Sequence, residues 1–405
     1  MQTNRLCTLF GSFCVALCGC SGGGGGASES GTASTSGATA TTGTNTTVTD
    51  GGLTTTTMGT STTVTDSGLA TTTTGTGTDP TGTASIGTAS GTDTGTGDTG
   101  TGGASTGGSS GTGTTGGVVC TPGVPLMPAQ DCAALGLTLS APYDQGYTCS
   151  DLGAIPGVPL EYGGLFVDPS DPNRLIVGGN ANEASGKLYS VGIARDADCT
   201  ILGFDGSPTT VWGPAEFNDG GMTFGPGDVL FLARYPSNEI GQLEPGSMVT
   251  DKIVDLAPLG VTASPGGLTF VPPGFPSAGA LKLASWPSGD WYTLTLAPDN
   301  GGTYDVTAAQ FETTIPGGPE GFVYIAAGNP QFPTDSILVS EWSDDKLATY
   351  EIDGNGDPVV ATRKDFMTGL TGAEGAWIDG PSGSFLFSTW DGINRLILVH
   401  GFLPQ

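Results

Sequence analysis

From Gly164 onward the chain alternates short apolar runs with turn residues, and one three-run phrase returns five times. Each phrase opens with a glycine ahead of an apolar run: Gly164-Leu165-Phe166-Val167, Gly221-Met222-Thr223-Phe224, Gly267-Leu268-Thr269-Phe270, Gly321-Phe322-Val323-Tyr324 and Gly375-Ala376-Trp377-Ile378. A second run follows, as in Val229-Leu230-Phe231-Leu232 and Ile337-Leu338-Val339-Ser340. A third then alternates with period 2, as in Trp291-Tyr292-Thr293-Leu294-Thr295-Leu296. Period-2 runs rich in β-branched and aromatic residues and bounded by Gly, Pro, Asn and Asp predict strands, and no stretch predicts a helix longer than a turn or two. The opening glycines step by 46 to 57 residues, the spacing of four-stranded propeller blades.

The pattern predicts an all-β fold: a β-propeller of five or six blades, each of about four antiparallel strands. Fourth strands are expected near Thr209–Trp212, Lys252–Asp255, Tyr304–Phe311 and Val359–Arg363, and the last phrase has none before Gln405. Closure of a ring removes exposed strand edges, so the segment from Tyr147 to Ile155 is expected to complete the last blade. Six blades would require residues 120–159 to supply more than one strand. A sandwich accounts for the strand count but gives no reason for the phrase to repeat.

Upstream the pattern changes. Residues 1–19 place Arg5 before an apolar run from Leu6 to Leu17 and then small residues, the layout of a secretory signal peptide, with a run too short to span a bilayer as a helix. Residues 20–117 are Thr, Gly, Ser and Ala with a few Asp, without an aromatic residue, Lys or Arg. Such a segment buries too little apolar surface to offset chain entropy and is expected to be a disordered tether. As a Gly-rich coil it would span roughly 55 Å, with an extended reach of roughly 330 Å. The echo of Thr47-Val48-Thr49-Asp50 at Thr63-Val64-Thr65-Asp66 reads as low-complexity expansion. The propeller domain is then 118–405.

Charge excludes one class of partner. With 39 Asp and Glu against 11 Lys and Arg, the formal net charge is −28, the opposite of what nucleic-acid binding requires. A soluble, self-repelling monomer is expected. Beyond the N-terminal segment four cysteines remain, Cys120, Cys132, Cys149 and Cys199. In an exported chain they predict two disulfides with three connectivities; the preferred pairing is Cys120 with Cys132 and Cys149 with Cys199. None forms a Cys-x-x-Cys pair and His400 is the one imidazole, so a zinc site is not expected.

Leu17-Cys18-Gly19-Cys20 resembles the lipobox of bacterial lipoproteins. The resemblance implies that Cys20 becomes the lipid-bearing N-terminus and that the membrane is a partner through the anchor. Ser21, in place of the Asp that resembles an inner-membrane retention signal, implies the outer membrane. The repeated domain resembles the broad superfamily of SMP-30/gluconolactonase-like, NHL-like and YncE-like propellers over roughly 147–403. Asn218-Asp219-Gly220 resembles the Asn-Asp-Gly of the lactonases, where the Asn binds a divalent metal. Glu320-Gly321 and Glu374-Gly375 resemble their Glu-Gly, which supplies a carboxylate ligand. The order along the chain differs from theirs, and neither a second Asn nor a partnering Asp is assigned.

Two sets of residues hold positions that gather on one face of a propeller. Glu161, Asn218, Asp219, Glu320 and Glu374 stand just before the innermost strands; converging carboxylates suit Ca²⁺ or Mg²⁺, or else solvate a rim. Tyr235, Trp286, Trp342 and Trp390 stand at the ends of the second strands. They read as a platform for a carbohydrate, another small molecule or a protein ligand, or as wedges between blades. Nucleophilic catalysis has no base but His400, which closes the last strand. The expectation is a binding or scaffolding module, with a metal-dependent lactonase as the alternative.

Overall fold

The structure, a computed structural model, describes residues 120–262, 264–390 and 392–404, together with a short ladder pairing Val48–Thr49 with Gly52–Leu53. The chain divides into two units, Met1–Ala104 and Ser105–Gln405. The signal peptide, Cys20 and most of the tether lie outside the described residues.

Unit 105–405 is a five-bladed β-propeller. Blade 1 comprises Leu165–Val167, Arg174–Gly179, Lys187–Arg195 and Thr210–Pro214, with Ile201–Phe204 added along the far half of its third strand. Blade 2 is Asn218–Phe224, Leu230–Arg234, Glu239–Leu243 and Lys252–Asp255; blade 3 is Pro265–Phe270, Leu281–Ser285, Asp290–Pro298 and Tyr304–Thr314. Blade 4 is Pro319–Ile325, Ser336–Glu341, Lys346–Glu351 and Lys364–Thr368, and blade 5 is Ala373–Ile378, Phe385–Thr389 and Leu396–His400. Every adjacent pair within a blade is antiparallel. Among the described residues the only helical pieces are 3₁₀ turns of three or four residues, and no helix is long and apolar enough to cross a membrane.

The entry segment completes the ring without adding a sixth blade. Thr148–Gly153 pairs with Leu396–His400 as the fourth strand of blade 5, Gln130–Asp131 extends that blade, and Thr138–Leu139 extends blade 4. Blade 1 is clasped to blade 5 by Arg195, which is fully buried. Its guanidinium donates to both oxygens of Asp379 (2.7 and 2.9 Å) and to the carbonyls of Pro172 and Cys199, so a buried charge pair has its donors satisfied.

Two expectations are corrected. The bridges are Cys120–Cys199 and Cys132–Cys149, not Cys120–Cys132 and Cys149–Cys199. The ladder Gln130↔Asp151 and Asp131↔Ser150 lays Cys132 beside Cys149, while Pro122 and Gly123 bond to Arg195 and bring Cys120 to the turn holding Cys199. In the chain-entropy picture, the 79-residue separation is worth about 4.5 kcal/mol and the 17-residue one about 3 kcal/mol. The fourth strand of blade 4 is Lys364–Thr368, not Val359–Arg363. Val360–Thr362 is a 3₁₀ turn in which the Thr362 hydroxyl donates to Val359 O and accepts from Glu351 N–H, and Arg363 turns to Glu341.

The recurring glycines explain themselves in the ring. A methyl group built on Gly221 would lie 2.4 Å from Leu268 N, on Gly267 2.1 Å from Glu320 O, on Gly321 2.4 Å from Ala376 N, and on Gly375 2.7 Å from Gly163 O. Each innermost strand touches the backbone of the next at its glycine. Across the axis, a methyl on Gly220 of blade 2 would lie 2.9 Å from Gly321 N of blade 4. Only glycine permits that approach. Backbone thus closes the channel at this level and leaves a separate recess at each end.

Candidate functional site

The recess at the start of the innermost strands is built by irregular ladders. In blade 2 the register passes from Asn218↔Arg234 to Met222↔Leu232, in blade 4 from Pro319↔Glu341 to Phe322↔Val339, and in blade 5 from Ala373↔Thr389 to Ala376↔Phe387. Extra residues on one strand bend it and re-aim a side chain. The bulges hold Asp219, Glu320 and Glu374, each the second residue of its strand and followed by glycine, and their carboxylate oxygens lie within 4.8 Å of one another. Blade 3 carries Gly266 at the equivalent place. A methyl there would lie 2.7 Å from Glu320 Oε2, so the glycine makes room for the neighbouring carboxylate.

All three acids are buried. Burial raises the Asp219 carboxyl to about 7, against the opposing bonds from Glu374, the Gly220 N–H and Asn182. Burial, and then the Asp219 charge, push Glu320 well above the usual carboxylate range. Glu374 is pushed well up by burial and by both of its neighbours. Asp219 Oδ2 and Glu320 Oε2 are fully enclosed and have no hydrogen-bond partner, an expensive condition for a buried oxygen.

The aromatic set closes over this triad. Tyr235, Trp286, Trp342 and Trp390 are each the first residue after a second strand, and each N–H donates to the residue just before its blade's innermost strand: Phe217, Ser264, Gly318 and Gly372. One repeated bond therefore fixes four rings at one height. The rings run in an arc from blade 2 to blade 5, with centroids 5.6, 5.7 and 6.0 Å apart. The indole nitrogens of Trp286 and Trp342 lie against Gly318 and Gly372 of the following blades, so these rings both pack the ring of blades and face the recess. Trp390 Nε1 has no partner. Together with Asp219, Glu320, Glu374 and Asn182, the four rings line a cavity of about 90 Å³, enough for an ion with a few waters or for part of a small ligand.

The predicted residues divide as follows. The cavity unites Asp219, Glu320 and Glu374 with Tyr235, Trp286, Trp342 and Trp390. Asn218 is buried outside it: its Nδ2 donates to Ala215 O, and its Oδ1 is wedged against Gly163 and Gly178 of blade 1. Glu161 is exposed, and its N–H is accepted by Asn394. Asn182 went unread. With its amide nitrogen turned toward them, it donates to Asp219 Oδ1 (3.3 Å) and to the Asn218 carbonyl (3.2 Å). The signal was available: Asn180-Ala181-Asn182 follows the second strand of blade 1, where the other four repeats place an aromatic residue. His400 lies on the third strand of blade 5, with Nδ1 3.1 Å from Ser384 Oγ, away from the cavity.

No protein-family model and no curated protein matches the chain. Solved structures resemble it at low identity. A glucose dehydrogenase is 16% identical, with 62% of this chain and 87% of that one covered and a TM-score of 0.36. A putative gluconolactonase is 13% identical, with 67% and 97% covered and a TM-score of 0.35. An auxiliary nutrient binding protein from Bacteroides ovatus is 10% identical, with 63% and 76% covered and a TM-score of 0.36. Likeness at this level says nothing about chemistry.

Proposed function

We propose that the propeller is a divalent-cation-dependent binding module for a small, oxygen-rich ligand, carried at the outer membrane on a lipidated tether. The observation that carries the reading is the pair of buried, unpartnered oxygens, Asp219 Oδ2 and Glu320 Oε2, within a triad of converging carboxylates. Three buried carboxyls brought this close together must take up protons or share a cation, and oxygen-only donors suit Ca²⁺ or Mg²⁺. Asp219, Glu320 and Glu374 would hold the ion, which when bound offers open coordination positions to ligand oxygens. Asn182 fixes the rotamer of Asp219. The Tyr235, Trp286, Trp342 and Trp390 rings present apolar faces to the body of the ligand, as aromatic platforms do for carbohydrates and other flat molecules, and the Trp390 N–H is a spare donor.

Binding is favoured over lactone hydrolysis by the inventory of the cavity. Once the three carboxylates hold a cation, Tyr235 is the one titratable side chain left among the lining residues, so no carboxylate or imidazole is left free to serve as a general base beside the ion. Calorimetric titration of the metal-stripped protein with CaCl₂ and MgCl₂ tests the reading. One equivalent bound, and none bound by Glu320→Gln/Glu374→Gln, is the expected result; absence of binding to the wild type overturns both readings. Metal-dependent turnover of an aldonolactone would replace the binding reading with the hydrolytic one.

A further inference from the structure

The recess at the opposite end of the innermost strands has the inverse chemistry. Its cavity measures about 520 Å³, inside the range of small-molecule sites. Its walls are the ends of the same strands: Phe224 from blade 2, Phe270 from blade 3, Val323 from blade 4, and Trp377 with Ile378 from blade 5. Every lining residue is uncharged, in a chain whose net charge is −28.

The walls are held from behind. Fully buried Phe166 packs edge-on to Phe224 at 4.8 Å and against Trp377 at 6.2 Å, and fully buried Phe231 packs edge-on to Phe270 at 5.4 Å. Rings anchored in this way cannot swing in to fill the space, so the recess is a preformed cavity. Hydroxyls interrupt it: the Tyr324 hydroxyl donates to Gly356 O, and the Thr269 hydroxyl donates to Thr223 Oγ1 at 3.4 Å, which leaves the Thr223 proton to point elsewhere. Both threonines line the cavity.

We propose that this recess is a second binding site, for a neutral, ring-containing small molecule that carries a hydrogen-bond acceptor such as a ketone. Charge complementarity selects the occupant: an ion entering here would lose water and find no counter-charge, whereas an aromatic or alicyclic body gains apolar contact on several sides. The Thr223 hydroxyl donates to the acceptor and so orients the body. The glycine contacts at Gly220 and Gly321 separate this site from the acidic one, so the two bind independently.

The neutral ketone dye 6-propionyl-2-(dimethylamino)naphthalene tests the proposal on the full-length chain. Expected are a saturable one-to-one blue shift and an affinity at least tenfold above that for the anionic probe 1-anilinonaphthalene-8-sulfonate. Thr269→Trp, which fills the cavity, is expected to weaken dye binding at least tenfold, and Thr223→Val to weaken it several-fold while leaving the anionic probe unchanged. EDTA and Trp286→Ala are expected to change nothing. Should Thr269→Trp fail to fold, Thr223→Val decides. The proposal is overturned by absence of saturable binding, by equal affinity for the two probes, by dye binding unchanged in the folded variants, or by sedimentation showing that a second copy of the chain occupies the recess in place of the dye.

Discussion

The two ends of the channel are made by the same strands and differ in almost everything else. At the start of the innermost strands of blades 2, 4 and 5 the ladder is broken, the bulge aims an acid into the recess, and buried oxygens lack partners. At the far end the ladders are regular, as in Met222↔Leu232 through Phe224↔Leu230 and Phe322↔Val339 through Ile325↔Ser336, and the residues facing the recess are uncharged and mostly apolar. Regular pairing satisfies the backbone and leaves side chains to pack; a bulge gives up pairing to aim one side chain at a common point. Between the ends, the glycines bring backbone against backbone and keep the chemistries apart. One strand thereby serves two sites without either constraining the other.

The largest expected effect breaks the comparison at its acidic end. Saturating Ca²⁺ or Mg²⁺ should stabilise the metal-stripped protein by about 2.7 kcal/mol at a hundredfold excess over Kd, on the order of 4 to 5 °C in Tm for a domain of this size. Glu320→Gln/Glu374→Gln should abolish the shift while raising the melting point of the metal-free protein, because two carboxyls that burial makes costly to ionise are gone. Calorimetric melting with and without EDTA reads both. A cation shift that survives in the double variant would place the ion elsewhere.

The partition between the sites gives the next effect. Gly321→Ala sets a methyl 2.4 Å from Ala376 N, and overpacking of this kind costs about 1 to 3 kcal/mol. Gly354, where an added methyl meets nothing within 4 Å, is the control; Gly354→Ala should stay within about 0.5 kcal/mol of wild type. Urea denaturation compares the two directly. Equal stability of the two variants would mean that the blades can part at Gly321 and that the channel is not closed there.

Much of this was legible in the sequence because it repeats. The glycine period and the three-run phrase are local patterns, and they gave the blades, the closing strand Thr148–Gly153 and the heights of Tyr235, Trp286, Trp342 and Trp390. What was not legible depends on exceptions to the repeat or on contacts between distant segments. Asn182 stands where blade 1 departs from the aromatic rule. Asn218 and Asp219 are adjacent in sequence, yet the bulge sends one side chain into the junction with blade 1 and the other into the cavity. The cysteine pairing followed from a strand that the entry segment adds to blade 5 and a single bridge that it makes to the end of blade 1's third strand, and spacing alone carries no trace of them. At Val359–Arg363, strand-forming residues were captured by one threonine hydroxyl that closes a turn.

The smallest expected effect is on pH dependence, and it sharpens the comparison because one end titrates and the other does not. The carboxyls of Asp219, Glu320 and Glu374 are raised in the folded state, mainly by burial. A raised acid favours the folded state most when both folded and unfolded forms are protonated, and this contribution falls as pH climbs from the unfolded value, near 4, through the folded one, about 7 for Asp219. Metal-free protein should therefore lose stability from this site as pH climbs from about 4 through about 7 and beyond. Asp290 and Asp365 oppose it: burial raises them, but hydrogen bonds from Thr262 and Thr314 to Asp290, and Lys346 with Arg363 beside Asp365, hold both below the usual carboxylate range. Their contributions are present above the unfolded value and fade as pH drops below it. The net change in the wild type is thus modest, and the informative quantity is a difference. In EDTA, Tm measured at pH 5 and pH 8 should fall further for wild type than for Glu320→Gln/Glu374→Gln, and a saturating cation should remove the difference by replacing protons with an ion. Thr269→Trp, at the apolar end, should leave the pH profile of the wild type intact. A profile that the double variant does not flatten would mean that the three carboxyls titrate as solvated groups, and the acidic recess would then be a wet rim with no call for an ion.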